Sequence, residues 1–303
     1  MPPVPMSSPT VTRREALLTL AGAAIAAGPL VRAATAPDSR PSMPSAPAAN
    51  LPPGRLRHSV CKWCYPGIPL ATLAAAAPDL GLESIELLDP PEWPVVRRAG
   101  LVCAMANGTT TIPDGFNRLE HHGKHVPSMI ERIKACADAG LPNVICFSGN
   151  RAGLPDEQGL ENCTAGLKQI VGTAEKAGVT VCMELLNSRV DHHDYQCDHT
   201  AWGVELVRRV GSERFKLLYD IYHMQIMEGD VIRTIQDNQA FIGHYHTGGV
   251  PGRHEIDETQ ELNYPAIMRA IKATGFSGFV AQEFIPVRDP LTSLREGVRR
   301  CTV

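Results

Sequence analysis

The feature that most constrains the fold of this chain is a regular alternation of short apolar runs with longer helical patterns, from His58 to the C-terminus. Short apolar runs bounded by turn residues are typical of buried parallel strands, and the helical patterns supply the crossovers that such strands need. The sequence therefore predicts repeated βα units. The predicted strands are residues 58–63, 83–88, 101–106, 143–147, 180–185, 216–220, 242–247 and 278–284.

Helical patterns are clearest at residues 68–79, 123–139, 158–177 and 264–273. A glycine follows each of them closely, and glycine most easily adopts the left-handed conformation that ends a helix. Eight units over residues 58–303 fit the about 250 residues of a closed (β/α)8 barrel, an α/β fold. The main alternative is a doubly wound open sheet, but the glycine-rich nucleotide-binding turn of that fold does not follow the first predicted strand.

Residues 1–57 differ in kind from the rest of the chain. Arg13 and Arg14 precede an uncharged run from Ala16 to Val31, after which small residues offer a cleavage site. This order predicts a twin-arginine signal peptide over residues 1–36, a Pro/Ala/Ser-rich linker over 37–57 and one barrel domain over 58–303. We therefore expect a periplasmic or otherwise exported protein that binds the twin-arginine translocase during export. The apolar run is shorter than the roughly 20 residues of a spanning helix, so no permanent membrane span is expected.

Composition narrows the choice of partner. The formal net charge is −3 and the pI is about 6.4, so no basic excess favours nucleic acid, and a small molecule is the expected partner. The nine cysteines are an odd number, and several lie inside apolar strand patterns, so a disulfide framework is not expected. Cys61 and Cys64 form a C-x-x-C pair, for which a redox or zinc role is disfavoured because no second pair follows.

Polar residues at the C-terminal ends of barrel strands are the candidates for function, because active sites of such barrels lie at that end. Glu184, Asp220, His246 and Glu283 each end one of four consecutive predicted strands, and we call them the ligand cluster. Each lies roughly one βα unit, about 30 residues, from the next. Since side chains alternate along a strand, these four are expected to converge at the mouth of the barrel.

Three carboxylates and one imidazole in a single cavity repel one another and lose hydration, which a divalent cation would offset. Oxygen ligands with one imidazole favour Mn²⁺, Mg²⁺ or Co²⁺, although zinc also fits. The ligand cluster is therefore predicted to hold one divalent metal ion. The alternative is that a nearby arginine or backbone groups neutralise each acid separately.

Several other polar residues have an expected role or position. Glu86 lies in the second predicted strand and would face the barrel interior, where we expect it to bind substrate or to support a ligand. His192 and His193 could form a second metal site with neighbouring aspartates, but a polar loop at the mouth is the favoured interpretation. The remaining histidines considered have helix-start spacing and are expected at the surface: His121, His122 and His125.

Several of these stretches resemble the hydroxypyruvate isomerase family, which belongs to the xylose isomerase-like barrels. The resemblance runs from about His58 to Glu296, and its densest motif is D-I-Y-H-M-Q at residues 220–225. Further matching stretches are E-L-L-D-P at 86–90, G-N-R at 149–151, E-L-L-N at 184–187, M-E-G-D at 227–230 and P-G-R-H-E at 251–255.

This resemblance implies an aldose–ketose type isomerase that acts on a small hydroxy-carbonyl compound through an enediolate. It implies that the ligand cluster binds the metal and that Glu184 and Glu283 are also the acid–base pair. His223 and Arg253 would bind substrate oxygens.

Three alternatives remain. His246 stands where hydroxypyruvate isomerases tend to carry Gln and where ketose 3-epimerases of the same superfamily carry His, so a ketose 3-epimerase is the first. The second is an exported, non-catalytic sugar-binding barrel, although binding alone does not need both glutamates. A DNA phosphodiesterase of the same superfamily is the third, but it would need two or three metals and a basic groove.

Replacing both Arg13 and Arg14 with Lys is expected to leave the protein in the cytoplasm, because the arginine pair is the signal that the export route reads. Cell fractionation followed by immunoblotting measures the outcome. The matched control is the Arg32→Lys, Arg40→Lys double variant, which makes the same change outside the motif and should be exported like the wild type. Unchanged export of the Arg13, Arg14 variant would contradict the prediction.

Overall fold

The computed structural model describes residues 55–303, which form a barrel of parallel strands surrounded by helices. The regular strands are β1 (Arg57–Cys61), β2 (Ser84–Glu86), β3 (Asn143–Cys146), β4 (Thr180–Glu184), β5 (Phe215–Asp220), β6 (Ile242–Thr247) and β7 (Phe279–Gln282). They lie side by side in the order β2-β1-β7-β6-β5-β4-β3, and every pair is parallel.

Residues 101–106, the third predicted strand, close the barrel between β2 and β3. They make isolated parallel bridges, from Val102 to Ser84 on one side and from Ala106 to β3 on the other. They are not a regular strand, because the backbone N–H of Ala104 donates to the side-chain oxygen of Ser84 (2.9 Å) instead of to a ladder carbonyl. The predicted eight-unit barrel is confirmed, with one irregular member.

Helices connect the strands on the outside of the barrel. They are α1 (Leu70–Ala76), α2 (Trp93–Arg98), α3 (Leu119–Ala139), α4 (Asp156–Ala177), α5 (Thr200–Val210), α6 (Ile221–Met227), α7 (Val231–Asn238), α8 (Tyr264–Ala273) and α9 (Pro290–Cys301). Gly140 and Gly178 end α3 and α4 with φ of 71° and 69°, the left-handed conformation that the sequence predicted for them. Each glycine then leads the chain toward the next strand.

Apolar side chains pack in two layers. The larger layer lies between the strands and the surrounding helices. A smaller cluster, Met105, Ile145, Cys182 and Leu218, fills the barrel interior. Two of its members lie two residues before the ligand residues of β4 and β5, so they point the same way and form the floor beneath the ligand cluster. The nine cysteines are all buried and unpaired.

The expectation that three histidines near the start of α3 lie at the surface is wrong for His122 and His125, which are buried. The i, i+3 spacing of these two places them on the helix face that packs inward. His122 contacts the backbone oxygen of Phe116 through Nε2, at 2.8 Å, and lies against Gly166 of α4. The burial follows from packing between α3 and α4, which local spacing alone does not reveal.

The predicted signal peptide (1–36) and nearly all of the predicted linker (37–57) lie outside the described residues. Because β1 begins at Arg57, the barrel starts one residue earlier than predicted. Within residues 55–303, no helix is both long enough and apolar enough to cross a membrane.

Two glycines of α4 provide a test of this packing. A Cβ at Gly166 would lie 2.8 Å from both Nε2 of His122 and the ring of Phe116, whereas a Cβ at the exposed Gly172 would meet nothing within 4 Å. Gly166→Ala is therefore expected to lower the free energy of unfolding by about 1–3 kcal/mol. Gly172→Ala should raise it by about 0.5–1 kcal/mol, because it removes backbone entropy from the unfolded chain. Urea unfolding measures both, and shifts of the same sign would contradict the packing described.

Candidate active site and metal centre

The ligand cluster forms at the C-terminal ends of four adjacent strands. Glu184 and Asp220 are the last residues of β4 and β5, His246 is the next to last of β6, and Glu283 directly follows β7. All four side chains are buried, and one ligand atom from each lies within 4.8 Å of the others. The structure therefore brings all four predicted ligands together.

His246 is oriented by a buried carboxylate behind it. Its Nε2 lies 2.9 Å from Oε1 of Glu86, and the same oxygen contacts Nε2 of His244 at 2.8 Å. Nδ1 of His246 faces the carboxylates of the ligand cluster, 2.5 Å from Oε2 of Glu283 and 3.3 Å from Oε1 of Glu184. Either a proton or a metal ion must lie between this nitrogen and the oxygens, since their lone pairs would otherwise repel.

Glu86 was expected either to bind substrate or to support a ligand, and its contact with His246 fits the supporting role. Its side chain is fully buried and does not line the cavity beside the ligand cluster. It instead receives the Nε2–H of His246, and a carboxylate on the far nitrogen is the usual partner of a metal-binding histidine. The contact fits a carboxylate that holds His246 in place, and a direct contact of Glu86 with substrate stays a prediction.

Arg253 neutralises part of the negative charge. Its Nη2 lies 2.7 Å from Oδ2 of Asp220 and 2.5 Å from Oε2 of Glu283, and its Nε donates to the backbone oxygen of Glu283 at 3.0 Å. The backbone of Arg253 has a φ of 57°, a left-handed conformation that a non-glycine residue holds only when its surroundings impose it. An arginine thus neutralises two of the acids, as the alternative interpretation allowed, but it leaves Glu184 without an arginine partner.

The surroundings shift the pKa values of the ionisable groups of the site in different directions. Burial raises the pKa of Glu184, and it raises the pKa of Asp220 to about 7. Burial acts on Glu283 in the same direction, but Arg253 and His246 outweigh it and hold the pKa of Glu283 well below its usual range. Burial opposes charge on His246, whereas Cys61 and the neighbouring carboxylates raise its pKa well above its ordinary value. Glu283 is therefore ionised, and Glu184 takes up a proton more readily.

His223 is approached by two hydrogen-bond donors at once. Oδ1 of Asn187 accepts the backbone N–H groups of Val190 and Asp191, which fixes the orientation of the amide. Its Nδ2 therefore points at Nδ1 of His223, 2.7 Å away, while Nη1 of Arg253 lies 2.6 Å from Nε2. Burial and Arg253 lower the pKa of His223 well below its ordinary value, so the ring is neutral and carries a single N–H. In one of the two contacts, therefore, the ring N–H faces another hydrogen-bond donor.

A cavity of about 510 Å³ opens beside the ligand cluster, a size typical of small-molecule sites. Glu184, Glu283, His223 and Arg253 all reach it. Much of the remaining lining is apolar: Trp63, Leu87, Ile112, Ile145, Phe147 and Leu186. A larger surface groove between the C-terminal ends of α8 and α9, of about 690 Å³, contains none of the predicted site residues. The cavity at the barrel mouth is therefore the candidate active site.

Trp63 is a residue of the site that the sequence did not predict. Its indole Nε1 donates to Oε1 of Glu283 at 2.6 Å, and the guanidinium of Arg253 lies 5.5 Å from its ring centroid. An aromatic residue at the end of the first predicted strand was the available signal. His192, considered as part of a polar loop, also lines the cavity and contacts the ring of His223, with centroids 5.2 Å apart.

The donor set of the ligand cluster fits a divalent cation. Three carboxylates meet one imidazole, and Nδ1 of His246 is buried without a hydrogen-bond partner in the described part of the chain. A buried polar atom without a partner is costly, and a cation at this position would remove that cost. The residues present can therefore hold a metal ion, and the mixture of oxygen and imidazole ligands is compatible with several divalent metals.

Known proteins share this fold and much of this sequence. The family model described as xylose isomerase-like TIM barrel matches residues 74–302. The 2-oxo-tetronate isomerase of Cupriavidus necator is 36% identical over 232 residues, which cover 72% of this chain and 87% of that protein. The hydroxypyruvate isomerase of Escherichia coli K12 is 29% identical over 202 residues, covering 66% and 74%. The crystal structure of a family 2 AP endonuclease from Brucella melitensis has the same fold, with a TM-score of 0.70, 24% identity and coverage of 80% and 96%.

A closed parallel barrel with convergent polar residues at its C-terminal end defines a TIM-barrel enzyme. The chain belongs to the xylose isomerase-like TIM barrel family, and within it the resemblance to hydroxypyruvate isomerases is confirmed. It is an isomerase, as the sequence predicted.

Glu86→Gln is expected to weaken the binding of Mn²⁺ by about 10–100-fold, the usual cost of removing a carboxylate that supports a metal-binding histidine. Isothermal titration calorimetry on the chelator-treated protein measures the affinity. The control is Glu83→Gln, which alters a carboxylate paired with Arg55 and Arg57 at the other end of β2 and should bind Mn²⁺ like the wild type. Equal affinity in Glu86→Gln and the wild type would show that Glu86 does not support the metal.

Proposed function

We propose that this protein is a metal-dependent isomerase of a short 2-oxo hydroxy acid, acting by proton transfer through an enediolate. The observation that carries the proposal is the convergence of the ligand cluster beside a cavity that His223 and Arg253 also line. The compounds named for the Cupriavidus necator and Escherichia coli relatives, a 2-oxo-tetronate and hydroxypyruvate, support this substrate class.

The ligand cluster would hold one divalent ion, with Mn²⁺, Mg²⁺ and Co²⁺ favoured and zinc compatible. Such an ion, when bound, polarises adjacent carbonyl and hydroxyl oxygens and offsets the charge that develops as a carbon-bound proton leaves. The protein fixes the side chains around it in advance. Glu86 holds His246 from behind, and Trp63 holds the outer oxygen of Glu283.

Glu184 and Glu283 are suited to opposite parts of the proton transfer. Glu283 is kept ionised by Arg253 and His246, so it can accept a proton from carbon. Burial raises the pKa of Glu184, whereas a divalent ion bound to it would lower that pKa, so Glu184 would act as a carboxylate that takes up a proton during the reaction and hands it back. Two carboxylates that reach the same cavity from different strands can serve as the pair that removes and returns the proton.

His223 and Arg253 would orient the substrate. Asn187 donates to Nδ1 of His223, so the single ring hydrogen belongs on Nε2, where it faces the Nη1–H of Arg253. A carboxylate or carbonyl oxygen placed between these two donors would accept from both and relieve their conflict. The acid group of a 2-oxo acid provides such an oxygen, and this gives His223 and Arg253 their proposed role.

A ketose 3-epimerase is the second candidate, because His246 is the residue that the sequence analysis associated with that activity. Return of the proton to the neighbouring carbon gives isomerisation, and its return to the opposite face of the same carbon gives epimerisation. Short ketoses, aldoses and three- and four-carbon hydroxy-carbonyl acids can be screened with Mn²⁺ in D₂O by NMR. An isomerised acid supports the first proposal, and an inverted ketose supports the second.

We also propose that the barrel works outside the cytoplasm after twin-arginine export. The proposal rests on the Arg13, Arg14 leader of the sequence. The nine buried, unpaired cysteines suit an export route that carries folded proteins, since none of them depends on an oxidising compartment for its packing.

Glu283→Gln keeps the size of the side chain but removes the base, so kcat is expected to fall on the order of 100-fold or more. The comparison is made at saturating Mn²⁺, because the substitution also weakens a metal ligand. With the wild type in D₂O, the product should carry deuterium at the carbon next to the carbonyl. Glu258→Gln, a change of an exposed glutamate in the same half of the chain, is the control and should keep the wild-type kcat. Full kcat in Glu283→Gln would remove Glu283 from the proton transfer.

A further inference from the structure

A second group of metal-binding side chains lies outside the ligand cluster. Asp114 belongs to the loop of residues 107–118, which follows the third barrel segment, and His121 and His125 lie in the first two turns of α3. Their i, i+4 spacing puts both imidazoles on one face of the helix. The loop passes over this face, so the aspartate and both histidines meet.

The two imidazoles converge on one oxygen atom of the aspartate. Nδ1 of His121 and Nε2 of His125 each lie 2.8 Å from Oδ1 of Asp114, and the three ligand atoms all lie within 4.8 Å of one another. His125 is fully buried, and the two imidazoles meet edge to face with centroids 5.9 Å apart. Two imidazole nitrogens and one carboxylate oxygen are the protein ligands of zinc sites that take water as the fourth ligand.

The contact of His121 differs from an ordinary hydrogen bond. Its Nδ1 is buried, yet the approach to Asp114 lacks hydrogen-bond geometry, and the nitrogen has no other partner among residues 55–303. Nε2 of His125, by contrast, does hydrogen-bond to the same oxygen. A buried imidazole nitrogen that is close to a carboxylate without a hydrogen bond is costly, and a cation bound to both atoms removes the cost.

The nearby positive charge of Lys124 does not prevent a cation from binding here. Lys124 contacts the other oxygen of Asp114, Oδ2, at 2.8 Å, and its side chain is 68% exposed, so it can turn into solvent. Zinc–ligand distances of about 2.0–2.1 Å in a tetrahedron require ligand atoms about 3.4 Å apart. Asp114 therefore has to retreat by roughly 0.5 Å, which its position on a loop permits.

We propose that Asp114, His121 and His125 bind a second divalent ion, with zinc as the best fit and water as the fourth ligand. Bound zinc would tie the 107–118 loop to α3. The same loop contributes Asn107, Gly108, Thr110 and Ile112 to the lining of the cavity. The ion would thus hold one wall of the cavity in place without taking part in the chemistry.

Metal stoichiometry tests this proposal. Full-length protein is stripped with chelator, loaded with Zn²⁺ or Co²⁺ and analysed by calorimetry and by mass spectrometry of bound metal. His121→Gln and Asp114→Asn should each bind one equivalent fewer than the wild type, with at least 100-fold weaker affinity at the altered site, since removing a ligand costs more than the 10–100-fold loss for its supporting group. Asp220→Asn should keep this site and its strong visible Co²⁺ absorption, which indicates tetrahedral coordination.

The matched control is His199→Gln, which removes a half-exposed histidine that also lies 2.8 Å from a carboxylate, Asp198, but has no second histidine beside it. This variant should bind as many equivalents as the wild type. Zinc should raise the melting temperature of Asp220→Asn but not of the Asp220→Asn, His121→Gln double variant. A His121→Gln variant with the wild-type stoichiometry and zinc-dependent stabilisation would overturn the proposal. Because the comparison is a difference of one equivalent, it holds whether or not the ligand cluster binds metal.

Discussion

The burial of like charges at one end of the barrel is the constraint on which the rest of the site depends. Glu184, Asp220 and Glu283 lie within reach of one another and of one imidazole, in a place from which water is largely excluded. Such a group is stable only if cationic or hydrogen-bonding partners offset the lost hydration. The surrounding structure supplies them from three directions, with Arg253 from a loop, Trp63 from the turn that follows β1 and the Glu86–His246 contact from below.

With the proposed function, Arg253 would connect the stability of this site with substrate binding. Its guanidinium joins two acids of the ligand cluster and at the same time meets His223 in a contact of two donors. The residue is held there in a left-handed backbone conformation, so the loop is specified by its surroundings and not by local preference. A cation in the ligand cluster would take over part of the neutralisation that the guanidinium provides, and the guanidinium would then be free to pair with an acidic substrate, so one side chain would link the two binding events.

The irregular third member of the barrel shapes the cavity. After residues 101–106 the chain does not enter a helix directly but crosses the mouth as the 107–118 loop. At Gly108 the loop passes so close to β3 that a Cβ would lie 1.9 Å from the backbone oxygen of Ile145, so only glycine fits. The loop therefore forms a fixed wall, which Asp114 also joins to the start of α3.

The sequence by itself determined the barrel and the identity of its polar strand ends, because both depend on short-range periodicity: apolar runs mark strands, and a polar residue at the end of such a run must lie at the mouth. It also indicated that Glu86 faces the interior. Tertiary structure alone decided that Glu86 contacts His246, that Trp63, two residues beyond β1, reaches Glu283, and that His122 and His125 are buried. These contacts join residues far apart in the chain or depend on which helix faces pack together. Spacing along one element carries no information about the partner across the barrel, so only the folded chain could reveal them.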